Sequence, residues 1–343
     1  MTVRRTMTLM VAAVCAYLAA VPSLAAQQRV RVKFATLAPD GSPWHRVLED
    51  MGHEWRQGTQ GRVRLVIYAG GVAGDDRAAL RKIRHGQLQG AGLTVSGLSD
   101  LDPAFNLFAV PLFFESIEEF FFVLDRLGPV LAERLEERGF VVLNWAYGGW
   151  IHIFARRRLQ TVEELKQLKM YAGAGDEPLI RIWRQNGFNP VPLSPTDIMM
   201  GLQSGMIDGL PVPPLGALAM QWFKQIPYMI DPGVSPLIGA TVVDARTWKK
   251  ISEEDRVAIL EASRRAAERL ALEIPQKDEE SILEMEKRGL EVIRLRPGDE
   301  QDPWRAAAES FAESMRRTMV PVEIFDLAVR YRAEYRAGRP GER

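Results

Sequence analysis

The chain has 343 residues, its 44 Lys and Arg are balanced by 44 Asp and Glu, and 47% of its residues are hydrophobic. The balanced charge argues against a nucleic-acid partner, which needs a basic excess, and the apolar fraction excludes a disordered chain. A single Cys, Cys15, can build neither a disulfide framework nor a thiolate zinc site. The length predicts about two domains, each able to bury its own core.

Residues 1–26 have the composition of a secretory signal peptide. Two arginines precede an apolar run over residues 7–21, and small residues follow it up to Ala26. The run is shorter than the roughly 20 residues that a membrane-spanning helix needs, so a cleaved signal is favoured over an uncleaved anchor. The sequence therefore predicts an exported, soluble, periplasmic protein.

Strands and helices alternate through the first half of the chain. Alternating apolar residues predict strands, and an apolar stripe at helical spacing predicts helices. The order of strand, loop, helix and strand predicts right-handed crossovers and a mostly parallel sheet covered by helices. These elements are strands over residues 29–37, 63–68 and 91–95 and helices over residues 44–55, 75–86 and 118–138.

The second half continues this pattern. Thr161 and Glu164 form a capping box that begins a short helix. Ser252 begins a long helix that ends near Gly289, in which Pro275 predicts a kink and residues 276–286 predict a mostly solvated charged face. The other elements are strands over residues 140–145, 151–155, 169–172 and 206–210, helices over 178–186 and 194–205, and a proline-rich loop over 211–214.

The sequence contains no motif that predicts catalysis or metal binding. His45, Glu49 and His53 could share a helix face, but a zinc site needs further ligands, so packing roles are favoured. Glycine-rich segments at 71–74 and 173–175 match no phosphate-binding loop and are interpreted as turns. We therefore predict no metal, no cofactor and no enzymatic activity.

Aromatic side chains recur beside the predicted strand ends. In α/β sheets, ligands bind in crevices beyond the carboxyl ends of the strands. Core packing is the simpler interpretation for any single aromatic residue, whereas the group as a whole fits an apolar ligand cleft. The group consists of Trp44, Trp145, Tyr147, Trp150, Tyr171 and Trp222.

Several segments, in order along the chain, resemble the DctP-like extracytoplasmic solute receptors of TRAP transporters. The resemblance implies an α/β, two-domain periplasmic binding protein fold with a hinge and a long kinked helix crossing both domains. Domain I would comprise residues 27–148 plus 236–272, and domain II residues 149–235 plus 273–343 with the C-terminal helices. The segments are VKFATLAPDGSPW at 32–44, GRV at 61–63, YAGG at 68–71, VPLFF at 110–114, TVEELKQLKM at 161–170, NPVP at 189–192 and LQSGMIDG at 202–209.

The resemblance also implies a function and partners. Members of this family enclose organic acids between their domains and pass them to membrane permease subunits. Residues 211–228 resemble a divergent branch whose permeases come with a TPR-containing accessory protein. Two alternatives remain open: a secreted two-domain enzyme, and a ligand receptor for a sensor kinase.

Three positions depart from the family pattern. Tyr171 and Ile151 stand where relatives commonly have Arg, and Val212 stands where they have an Asn. A carboxylate buried without its cation costs several kcal/mol. The departures therefore predict an apolar molecule or an aromatic or aliphatic acid rather than a C4-dicarboxylate, unless Arg77 or Arg181 supplies the cation.

We expect the cleft to be lined by residues of both domains. Trp44 and Trp150 would supply apolar walls, and Tyr171 would donate a hydroxyl hydrogen bond or stack on the ligand. Ligand contacts to both domains would favour a closed state. The predicted site consists of Ser42, Trp44, Thr94, Ser96, Trp150, Tyr171, Pro211 and Val212.

Overall fold

The computed structural model describes residues 29–295 and 303–338, so the predicted signal peptide lies outside the described residues. Two lobes share one nine-stranded mixed sheet with the order β2-β1-β3-β8-β4-β7-β5-β6, and β9 pairs with β8. The strands are β1 Val30–Thr36, β2 Val63–Tyr68, β3 Gly90–Thr94, β4 Phe140–Ala155, β5 Lys169–Gly173, β6 Asn189–Leu193, β7 Gly209–Val212, β8 Tyr228–Asp244 and β9 Glu291–Arg294.

Helices cover both lobes of this sheet, and three short 3-10 turns lie at 103–109, 195–197 and 222–224. Thr161 and Glu164 form the predicted capping box at the start of α5. The α-helices are α1 Pro43–Gly58, α2 Asp76–Arg84, α3 Val95–Leu101, α4 Ile117–Glu136, α5 Val162–Lys166, α6 Glu177–Gln185, α7 Ile198–Gln203, α8 Pro214–Ala219, α9 Ala245–Trp248, α10 Glu253–Glu286, α11 Pro303–Thr318 and α12 Val322–Ala337.

The two longest strands, β4 and β8, run through both lobes. They pair antiparallel, with register shifts that include one between Tyr147 and Gly149. The prediction of separate strands over 140–145 and 151–155 was wrong, because Gly149 adopts a φ of 119° and accommodates a bulge without ending the strand. β8 was not predicted, since Pro232 and Pro236 interrupt the strand pattern.

The sheet is parallel at its outer parts and antiparallel at its centre. β1 pairs parallel with β2 and β3, and β5 pairs parallel with β6 and β7. β8 pairs antiparallel with β3 and β4, and β4 pairs antiparallel with β7, so the predicted parallel arrangement holds for the outer strands but not for the central ones. β7 lies later than predicted, and Pro211 and Val212 belong to this strand rather than to a loop.

The long helix α10 packs against elements of both lobes, as predicted. It begins after its N-cap Ser252, contains Pro275, and is followed by Gly289 with a φ of 98°. In the first lobe the fully buried Trp55 of α1 donates from Nε1 to Ser263 Oγ of α10 at 3.3 Å. α10 also packs on α8 of the second lobe.

The C-terminal helices divide between the lobes: α11 packs on α5 and α6, whereas α12 packs on α4. The exact domain boundaries stay a prediction. None of the helices in the described ranges has the length and apolar character that crossing a membrane requires.

Candidate functional site

Side chains of the first lobe lie directly against glycines of the second. A Cβ added to Gly173 would lie 3.9 Å from Ser96 Oγ, and one added to Gly216 would lie 3.9 Å from Trp44 Cη2. A Cβ at Gly216 would also lie 3.0 Å from Val212 Cγ2. The predicted residues Trp44 and Val212 therefore lie together beside Gly216, and Ser96 lies beside Gly173, at the junction between the lobes.

A buried carboxylate, Asp76, is the first residue of α2, and it lies beside Thr94, the last residue of β3. Its Oδ2 accepts hydrogen bonds from Thr94 Oγ1 at 2.6 Å and from the Thr94 amide at 3.1 Å. Burial raises the pKa of Asp76 to about 6, against the lowering effect of the Thr94 and Gly97 hydrogen bonds. Thr94 is a predicted site residue, whereas Asp76 was missed, because its adjacency to Thr94 depends on the tertiary fold.

Tyr171 of β5, in the other lobe, is close enough to Asp76 and Asp75 for their negative charges to act on its hydroxyl. Burial first, and then the negative charges of Asp76 and Asp75, raise the pKa of Tyr171. The phenol therefore stays protonated at neutral pH and keeps a proton to donate. Thr94 and Asp76 of one lobe and Tyr171 of the other thus place polar groups near one another.

The two candidate replacement cations have different surroundings. Arg77 is held by Asp100 through two parallel hydrogen bonds, Nε to Oδ2 at 2.6 Å and Nη2 to Oδ1 at 2.7 Å. Its guanidinium occupies the space above Gly175, where an added Cβ would overlap it. Arg181 lies exposed on α6. Arg77 therefore reaches the junction between the lobes, but with its charge already balanced by Asp100.

A second buried carboxylate, Asp278, connects three elements, namely α10, β4 and α8. Its Oδ2 accepts from the Trp150 amide of β4 at 3.2 Å, and its Oδ1 accepts from the Leu215 amide of α8 at 2.9 Å. Burial raises the pKa of Asp278 to about 7. Asp278 was placed on a solvated face by the sequence, yet it is only 7% exposed.

Trp150 itself is half-buried, and its indole fills the space above Gly233 of β8. Among the described residues, the Nε1 of Trp44 is buried without a hydrogen-bond partner. A ligand acceptor placed beside Trp44 would therefore satisfy a donor that the protein leaves unpaired.

The other predicted aromatic residues pack in the cores. Trp145 contacts Phe105 at a centroid distance of 5.8 Å, and Tyr147 packs on Phe120 at 5.9 Å. Trp222 is buried in the core of the second lobe. Core packing therefore accounts for these three residues.

The polar residues at the start of α1 have structural partners. Ser42 Oγ caps the helix by accepting from the His45 amide at 3.2 Å, and His45 Nδ1 accepts from the Gly41 amide at 3.1 Å. Across residues 29–295 and 303–338, no group of three or more His, Cys, Asp or Glu side chains is arranged to hold a metal ion.

Solved structures with this arrangement are periplasmic solute-binding proteins of TRAP transporters. One from Roseobacter denitrificans, with bound β-D-glucuronate, has a TM-score of 0.80 at 20% identity and covers 88% of this chain and 99% of that chain. DctP7 of Bordetella pertussis, a receptor binding pyroglutamic acid, has a TM-score of 0.79 at 18% identity over 88% of this chain and 99% of that chain. This chain therefore has the two-domain fold of those proteins.

Sequence relatives agree with this fold. A solute-binding protein of Chromohalobacter salexigens is 25% identical over 67% of this chain and 68% of its own length. The 2,3-diketo-L-gulonate-binding periplasmic protein YiaO of Escherichia coli is 24% identical over 79% of this chain and 82% of its own length. Residues 34–318 match the DctP family model, "Bacterial extracellular solute-binding protein, family 7", and the chain belongs to this family of solute-binding receptors.

Proposed function

We propose that this receptor is exported to the periplasm, where it binds its solute between the lobes and delivers it to TRAP permease subunits. Support comes from the family membership and from the first-lobe side chains that lie against second-lobe glycines. A ligand that contacts both lobes favours their closed arrangement, which the permease can recognise. On this proposal the protein catalyses no reaction, and a TPR-containing accessory protein remains a predicted partner.

The ligand proposed for the cleft is an apolar molecule or an aromatic or aliphatic acid rather than a C4-dicarboxylate. The single observation that carries this proposal is Asp76, a buried carboxylate whose pKa is raised by desolvation and by the negative charge of Asp75, and is lowered only by hydrogen bonds from Thr94 and Gly97. Each ligand carboxylate near Asp76 would be repelled in a low-dielectric cleft, so a dicarboxylate is disfavoured more strongly than a monoacid or an apolar molecule. Arg77 does little to offset this repulsion of a ligand carboxylate, because its charge is already balanced by Asp100.

Polar groups in the cleft would fix the ligand's orientation. Tyr171 keeps a hydroxyl proton, and Trp44 has an unpaired Nε1–H within the described part of the chain, so both can donate to an acid or hydroxyl oxygen. The rings of Trp44 and Trp150 supply apolar surface for the rest of the molecule. This combination suits a ligand with one acidic or hydroxyl end and an apolar body.

A thermal-shift panel tests the ligand class directly. Aromatic and aliphatic monoacids at about 100 times their Kd are expected to add about 2.7 kcal/mol of stability, whereas succinate and malate add almost none. D-Glucuronate and L-gulonate belong in the panel, because TRAP receptors of this fold have been solved with them. Strong stabilisation by succinate or malate contradicts the proposal.

A variant of the ion pair at the junction gives a sharper test. Asp100→Asn removes the counterion of Arg77, so the freed guanidinium is expected to strengthen succinate binding by about tenfold, as charge-assisted hydrogen bonds gain roughly 1.5 kcal/mol. Titration calorimetry measures this gain. The control is the double variant Arg77→Gln, Asp100→Asn, in which the gain should disappear; a gain that persists in it would assign the effect to another cation.

A further inference from the structure

The first lobe carries two adjoining basic grooves at the end remote from the cleft. One has a volume of about 470 Å³, and Asp244 is the acidic residue in its lining. The other has a volume of about 420 Å³ and shares Arg29 with the first. Together their cationic lining residues are Arg29, Arg31, Lys33, Arg56, Arg64, Arg246 and Lys250.

Most of these cations have no carboxylate partner. Asp244 is engaged by Arg246 Nε at 3.2 Å and by the Thr247 amide at 3.2 Å. Elsewhere on the surface, arginines such as Arg264 and Arg265 pair with glutamates. Within the described residues, no ion pair is formed by Arg29, Arg31, Lys33, Arg56, Arg64 or Lys250.

Two of the unpaired arginines repel each other by their position in the sheet. Arg31 of β1 and Arg64 of β2 are register partners in a parallel pair, and both are exposed. Like charges on neighbouring strand positions are destabilising. A chain with equal numbers of acidic and basic residues thus concentrates uncompensated positive charge at one place, which indicates an anionic partner.

The grooves are separate from the ligand site. They lie beside Arg31 and Lys33 at the start of β1 and beside Gln89, just before β3. β3 then runs five residues to Thr94 at the cleft, a length of roughly 16 Å. An anion in the grooves would therefore leave the cleft free.

We propose that this basic end of the first lobe binds the phosphate headgroups of an anionic phospholipid bilayer. Its cations come from β1, β2, α1 and the α9 region and are spread over two grooves, which suits the repeated charges of a surface better than one small anion. Each Lys or Arg near such a surface strengthens binding by about fivefold, and salt screens the attraction over about 10 Å. The contact would hold the receptor at the membrane that contains its permease.

Vesicle co-sedimentation tests the proposal with the full chain lacking residues 1–26. The protein is expected to bind vesicles that contain phosphatidylglycerol, not vesicles of phosphatidylcholine alone, and to be released by high salt. The double variant Arg31→Gln, Arg64→Gln should lower the partition coefficient by about 25-fold. It should melt no lower than the parent, because it removes a repulsive pair.

The control variant Arg264→Gln, Arg265→Gln changes net charge equally on α10, and its vesicle binding should match that of the parent. An equal loss of vesicle binding in both double variants would show that only the net charge matters, and it would overturn the proposal. Absence of binding to phosphatidylglycerol at low salt would also overturn it. The proposal would also be overturned if vesicles fail to bind while sodium polyphosphate or an acidic protein binds in a way that depends on Arg31 and Arg64.

Discussion

Replacing Gly149 with alanine is expected to lower the free energy of unfolding by about 3–5 kcal/mol. Gly149 has a φ of 119°, a conformation that costs any residue with a Cβ. The added Cβ would also lie 2.6 Å from Asp278 Oδ2 and 2.8 Å from Pro213 Cβ. Asp278 belongs to α10, and Pro213 is the N-cap residue of α8. Neither can move away from Gly149 without disturbing the packing of these helices on β4. Urea denaturation followed by circular dichroism measures the loss.

Gly139→Ala is the matched control for this change. Gly139 also has a positive φ, 83°, but an added Cβ there would meet no atom within 4 Å. Its replacement should therefore cost only the backbone strain, about 1–2 kcal/mol. The difference between the two losses of unfolding free energy measures the steric contribution of the packing around Gly149. Equal losses in the two variants would contradict that close packing.

The second large effect concerns Asp278 and pH. Burial raises the pKa of Asp278 to about 7 from an ordinary 3.8, so folding favours its protonated form. The contribution of Asp278 to the free energy of unfolding is therefore largest below pH 3.8. This contribution is lost as the pH rises through 7. At about 1.4 kcal/mol per pKa unit, the loss amounts to as much as about 4 kcal/mol.

Asp278→Asn should remove this pH dependence. Asparagine keeps one of the two oxygens and has an NH2 donor in place of the other, so either the Trp150 or the Leu215 amide loses its acceptor, at a cost of about 1–3 kcal/mol. Unfolding free energies measured in urea at pH 5 and pH 8 should then differ less in the variant than in the parent. Glu279→Gln, at an exposed neighbouring position of α10, is the control. The same pH slope in Asp278→Asn and the parent would refute the assignment.

Local signals in the sequence predicted most elements of the lobes. The alternation at the start of β1, the capping box at Thr161 and the N-cap Ser252 each involve residues within a few positions of one another. β8 escaped prediction, because its prolines and glycines oppose strand formation locally and only its pairing with β3 and β4 stabilises it.

The candidate site was less predictable for the same reason. Thr94 and Tyr171 lie near the carboxyl ends of predicted strands, and Trp44 and Ser96 come after such strands, so α/β topology predicted them near the cleft. The position of Asp278 was not predicted, since its partner Trp150 lies 128 residues away in the sequence. Burial of a carboxylate depends on such distant contacts, and a charged helical segment carries no local sign of them.

The passage of β4 and β8 through both lobes has a consequence for how the protein can be divided. Each lobe is built from separate stretches of the chain, and a cut between the lobes would sever the strands β4 and β8 and the helix α10. Each half produced alone would expose strand edges with unpaired backbone N–H and C=O groups to solvent, which favours aggregation. Exchanging one lobe between two receptors would therefore require three crossing points, in β4, β8 and α10.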